Sequence, residues 1–158
     1  MAGTIDFRHD TTNDIIVMRP RWTLETPVDV MRWYQMHAGY FGGRFQCKKD
    51  IIAQNDAFDV VPKVAALWGQ YRAKLHESYI RLSVRVSSNA RVRLTTNTSA
   101  ARYSISALEC ASLEEAIVAI KNARLSVDTA PPGSGARTTS SFRTRPRTKP
   151  PKDDTQTG

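Results

Sequence analysis

Asn13-Asp14-Ile15-Ile16-Val17-Met18-Arg19-Pro20, with Thr26-Pro27-Val28-Asp29 close behind it, reads as a strand handing over to a helix. The apolar run Ile15–Met18 predicts a strand covered on both faces. Pro20 has no amide to give to a ladder and is expected to end it. Thr26 can cap free helix amides, Pro27 is pre-set for the first helical position, and Asp29 favours the positive end of the dipole. Val30, Trp33, Tyr34, His37 and Phe41 then recur at three- and four-residue spacing as far as Gly42-Gly43. That is one stripe of a helix that packs on a sheet. His37 lies on this stripe with no second ligand at helical spacing, so it reads as a hydrogen-bonded or rim histidine rather than a catalytic one.

The same alternation continues outward. Upstream, Thr4–Arg8 alternates and Asp10-Thr11-Thr12-Asn13-Asp14 is rich in turn-closing side chains, which predicts an N-terminal hairpin. Downstream, Ile51-Ile52-Ala53 reads as a strand running out into a loop, Gln54–Asp59. A second helix is expected from about Val60–Lys63 to about Ser78. Val64, Leu67, Trp68, Tyr71 and Leu75 would face inward, and Lys63, Gln70, Arg72, Lys74 and Glu77 would form the solvated face. Ile80–Val86 alternates with Arg81, Ser83 and Arg85 on one side, as for a strand near a sheet edge. A helix is expected over roughly 90–102. Ala107-Leu108-Glu109-Cys110 precedes a capping box at Ser112-Leu113-Glu114-Glu115, which opens a last helix through Ala116, Ile117 and Ile120 to about Arg124. Strands separated by helices predict one layered α/β domain over residues 1–124, a mixed sheet of about five strands with about four helices.

Composition sets further bounds. Of 158 residues, about 120 precede the tail, enough to bury a core without disulfide or metal staples. Cys47 and Cys110 lack metal-ligand spacing and read as buried or half-buried reduced thiols. No basic-then-apolar leader opens the chain, and no run approaches the ~20 apolar residues of a membrane span. A soluble, cytoplasmic protein is expected. Net charge is +8, and residues 125–158 hold six of the 23 Lys and Arg but only three of the 15 Asp and Glu. This stretch has Pro131-Pro132-Gly133-Ser134-Gly135, Thr138-Thr139-Ser140-Ser141, and then Arg143, Arg145, Arg147, Lys149 and Lys152 among prolines. One Phe cannot offset the entropy of ordering it, so a disordered basic tail is expected.

Few residues point to chemistry. Loops beyond strand C-termini are where ligands and partners dock in open α/β sheets. Asn55, Asp56 and Asp59, with Lys63 on the following helix, are therefore the candidate partner-binding group, against the plainer reading that Asp56 or Asp59 caps that helix. Arg91, Arg93 and Arg102, with Arg143, Arg145 and Arg147 of the tail, form an alternative polyanion-binding set. No glycine-rich phosphate loop, nucleophile elbow or metal-ligand cluster is apparent, so neither cofactor nor enzymatic activity is expected.

The whole order, with Asn13–Pro20 leading to Thr23–Asp29, Tyr71–Leu75 before a strand, and Thr98–Tyr103 before Ser112–Ala116, resembles the STAS and SpoIIAA-like domains of anti-anti-sigma factors and sulphate-transporter C-termini. It looks most like the small stand-alone bacterial STAS/SEC14-like proteins, over about residues 4–122. The resemblance implies a bacterial regulatory or scaffold domain acting through protein–protein contact. In regulatory members the phosphorylated Ser or Thr begins the helix after the third strand. Here the comparable residues are Asp59-Val60-Val61-Pro62, with neither hydroxyl nor glycine. Asp59 would imitate a permanently charged state, or the switch has been lost. Two other readings stand beside this one: a nucleic-acid or polyanion-associated protein, and a small-molecule or lipid binder, since related α/β folds include lipid carriers.

Overall fold

The computed structural model of the chain describes residues 3–88, 90–103, 105 and 108–128. Ile15 opens β2 (Ile15–Leu24), which runs straight through Pro20. β1 (Thr4–Asp10) pairs with it antiparallel, Ile5 opposite Pro20 and Phe7 opposite Met18, forming the expected hairpin. On its other side β2 has two parallel partners in succession. β3 (Lys49–Gln54) lies along Ile15–Met18, and β4 (Phe58–Val60) lies along Trp22–Leu24. Pro20 falls in the gap between them. The Trp22 amide donates to the Ala57 carbonyl at 3.1 Å on this side. The two-residue period of a strand turns the Pro20 nitrogen the same way, where neither β3 nor β4 needs a donor. The expectation that Pro20 ends the strand fails for that reason.

The sheet continues through β5 (Ile80–Val86) and β6 (Leu108–Cys110), both parallel, in the order β1-β2-β3-β5-β6, with β4 as a sixth strand on β2. β5 is thus next to the edge strand β6, as expected, but Ser83 and Arg85, expected on a less covered face, are buried. A register shift between the Lys49–Ile80 and Ile51–Ser83 pairs also breaks its simple alternation. Ile80 joins one core, while Leu82, Val84 and Val86 join the other.

Two helices cover one face. α1 (Pro27–Phe41) begins as read: the Asp29 amide donates to Thr26 Oγ1 at 3.2 Å, and the Thr26 amide returns to Asp29 Oδ2 at 2.8 Å. α2 (Pro62–Ser78) starts at Val61 with no side-chain cap, so neither Asp56 nor Asp59 caps it. Val30, Trp33, Phe41, Val64, Trp68 and Leu75 pack on Ile16, Met18, Trp22 and Leu24. All three tryptophans are core residues. α3 (Ala90–Arg102) lies against α2 and β4. On the opposite face α4 (Leu113–Asp128) lays Ala116 and Ile120 on Ile15, Ile52 and Val84. Half of its expected Ser112–Glu115 box forms: Ser112 Oγ accepts from the Glu115 amide at 3.2 Å, but Glu115 Oε2 accepts from the Ala111 amide at 3.0 Å instead of that of Ser112, and the helix continues past Arg124. Cys47 is exposed, contrary to expectation, and Cys110 is half-buried; both are free. The basic tail from residue 129, with its expected disorder, lies outside the described residues.

One ionic cluster pins α4 to the sheet. Asp50 has no exposed surface. It accepts from Arg81 Nε at 2.8 Å and Nη2 at 2.6 Å, and from Arg124 Nε at 2.7 Å. Arg124 also donates to the Asn13 and Asp14 carbonyls at 2.8 and 2.9 Å. Burial alone would push the Asp50 carboxyl up, but the Arg81 and Arg124 guanidiniums outweigh it and hold the group below the usual carboxylate range.

Candidate functional site at the carboxyl end of the sheet

The loops that leave β3 and β5 are stitched together by backbone and by one acid. The Asn55 amide donates to the Val86 carbonyl at 2.9 Å, and Asn55 O accepts from the Phe58 amide at 3.2 Å, which doubles the chain back into β4. Asp56 is exposed, and its Oδ1 accepts from the Ser88 amide and hydroxyl at 3.0 and 3.1 Å. Asp59 is half-buried within β4, opposite Thr23, and its Oδ1 accepts from the Val60 amide at 2.8 Å. Asn55 is 4% exposed. Of the four residues expected to bind a partner, Asp56 and Lys63 face solvent, while Asn55 is turned inward and Asp59 belongs to the sheet.

Two shallow concavities meet beside them at Pro62. A depression of about 490 Å³ is lined by Glu25, Val61, Pro62 and Lys63. A groove of about 380 Å³ between α2 and α3 is lined by Pro62, Ala65, Ala66, Leu94, Thr98, Ser99, Arg102 and Tyr103. Leu94 is 70% exposed there.

α3 does not gather its arginines into one patch. Arg93 Nε lies 3.5 Å from Glu109 Oε1 on the β6 side. Arg102 sits over the Tyr103 ring at 5.7 Å, in the groove. Nine residues at about 100° each place the two on opposite sides of the helix. The side chain of Arg91, and all of Arg143, Arg145 and Arg147, lie outside the described residues.

The charge that sequence reasoning missed is inside. Arg72, expected on the solvated face of α2, is 6% exposed, and Arg85 is 4% exposed. Arg72 Nη1 donates to the Thr96 carbonyl at 3.0 Å, and Arg85 Nη2 donates to Asn97 Oδ1 at 2.7 Å. Among the described residues Arg85 Nε and Nη1 have no hydrogen-bond partner. Both arginines line a cavity of about 30 Å³ together with His37, Asn55, His76, Ser83 and Thr96. Burial, aided by the neighbouring Arg85 charge, pushes Arg72 down to about 9, and burial also lowers Arg85 against the pull of Glu109. His76 is pushed to about 4 by burial, then by Arg72 and Lys48. His37 is fully buried; its Nδ1 donates to the Trp33 carbonyl at 2.7 Å, and Nε2 lies 3.3 Å from Met18 Sδ. Burial pushes it to about 4 against the effect of that hydrogen bond, so it is a neutral core histidine. A signal for Arg72 did exist: it stands four residues after Trp68 and three before Leu75, on the buried stripe itself.

Among the described residues no group of three His, Cys, Asp or Glu could hold a metal ion, and no helix is long and apolar enough to cross a membrane. No family model matches the chain, and no curated protein matches its sequence. Among solved structures it is similar to an uncharacterised DUF3478-family protein with a SpoIIAA-like fold from Shewanella loihica PV-4. The TM-score is 0.54 at 9% identity, covering 74% of this chain and 92% of the other. The chain thus has a SpoIIAA-like α/β fold, and at that identity the likeness is one of fold alone.

Proposed function

We propose that this chain is a STAS-type regulatory domain without enzymatic activity, which docks a protein partner on the surface beyond the carboxyl ends of β3 and β5. The SpoIIAA-like fold is the observation that carries the reading. The surface supports it: exposed apolar Leu94 and Pro62 share their two adjoining concavities with the charged groups Arg102, Lys63 and Glu25, an apolar surface bordered by polar residues. Val61 occupies the start of α2 where the family's switch hydroxyl would stand, so docking here is constitutive rather than gated by phosphate at that position.

The test is site-specific photo-crosslinking of the full chain in cells that express it. The crosslinker is placed at Lys63, at Leu94, or at Val118 on the opposite face of the sheet. A single defined protein adduct from Lys63 and Leu94, absent from Val118, is the expected result. Equal adducts from all three positions, or adducts to nucleic acid, would overturn the reading.

A further inference from the structure

We infer that the cavity beneath α3 is a receptor for a small oxyanion, whose carboxylate or phosphate group is held by Arg72 and Arg85. The inference rests on how the same chain treats its other buried charge. Asp50, equally hidden, is given two guanidiniums that donate to it at 2.6–2.8 Å. Arg72 and Arg85 line one cavity with no Asp or Glu among the described residues of its wall. The acid nearest in effect, Glu109, is on β6 and already faces Arg93. Arg72 is bonded to a carbonyl and Arg85 to an amide oxygen, both neutral acceptors, and two Arg85 nitrogens have none among the described residues. A buried cation without an opposite charge is costly to keep, and guanidinium forks match oxyanions better than any other ligand class.

Position and size agree. The cavity runs along the helix-covered face of the sheet from Ile51 and Ile80, and its end at Asn55 and Arg85 reaches the carboxyl side of β3 and β5, the usual ligand side of such sheets. Its volume of about 30 Å³ exceeds the roughly 10–15 Å³ that one water requires, and suits a single small anionic group. α3 is its outer wall: Thr96 faces the cavity, while Thr98 and Ser99 face the groove outside.

The experiment titrates the full chain, in low-salt buffer, with sodium acetate and separately with sodium phosphate, at matched ionic strength against sodium chloride. Thermal unfolding of the natural chain is compared with that of Arg85→Met, which keeps every surface arginine and the tail. Either oxyanion should raise the natural chain's Tm saturably, by about 5 °C or more at a hundredfold excess over Kd. Arg85→Met should lose that response and match or exceed the natural Tm without added anion. Which salt saturates decides between carboxylate and phosphate. Equal responses in both proteins would overturn the site. Should Arg85→Met not fold, backbone amide NMR of the natural chain decides: saturable shifts at Asn55, Ser83 and Arg85 are expected, and their absence with both salts rejects the proposal.

Discussion

Asp50 and His37 have no exposed surface, yet acid acts on them from opposite charge states. The Asp50 carboxyl is held below its unfolded value by two guanidiniums, against the effect of burial. Its contribution is therefore complete above the ordinary carboxylate range and is lost as pH falls through the folded pKa. Asp50→Asn should cost about 3 kcal/mol at neutral pH, measured by urea unfolding, and should flatten the loss of stability below about pH 4. His37 is depressed from 6.5 to about 4 by burial. The folded state then binds this proton less readily than the unfolded one. Stability is unaffected above the unfolded pKa and declines by about 3 kcal/mol between roughly pH 6.5 and 4. An NMR titration should find the His37 ring neutral through about pH 5; a midpoint near 6.5 would contradict the buried assignment.

At the scale of elements, the seam between α2 and α3 depends on Gly69. A Cβ there would stand 2.4 Å from Tyr103 Cε2 and 3.1 Å from Ser99 Oγ. Tyr103 is tied to the Ala66 carbonyl at 3.2 Å and cannot move away without losing that bond. Gly69→Ala should cost about 1–3 kcal/mol and speed amide exchange selectively in α3. Elements with local chemistry were readable from sequence: α1 from Thr26, Pro27 and Asp29, α4 from Ser112 and Glu115, and α3 over 90–102. What escaped reading was non-local. Pro20 looked like a stop because a strand's second neighbour is absent from its own sequence. Arg72 and Arg85 looked solvated because burial of a polar side chain depends on what crosses over it, here α3. β4 was invisible because three residues carry too little period to register, and its partner Trp22–Leu24 lies beyond Pro20, where the strand was expected to end.

At the scale of the molecule, Arg124 joins α4 to both the first turn and β3, through Asn13, Asp14 and Asp50. Arg124→Met should cost about 2–3 kcal/mol. Combined with Asp50→Asn it should cost less than the two changes separately by about 1–2 kcal/mol, because both break the same cluster. Additive costs in urea unfolding would show that Arg124 acts through its two carbonyl contacts alone. Of the candidate site, the region was readable and the residues only in part: Asp56 and Lys63 do face outward, but the strongest uncompensated charge lies behind them.

The placement of α4 also sets a timetable. Ile15, Ile52 and Val84 all leave the ribosome before Ala116 and Ile120, the residues that cover them. At about 5–20 residues per second, the nascent sheet presents one bare aliphatic face for several seconds after β5 is made. Only when the last helix arrives does that face lose its contact with water.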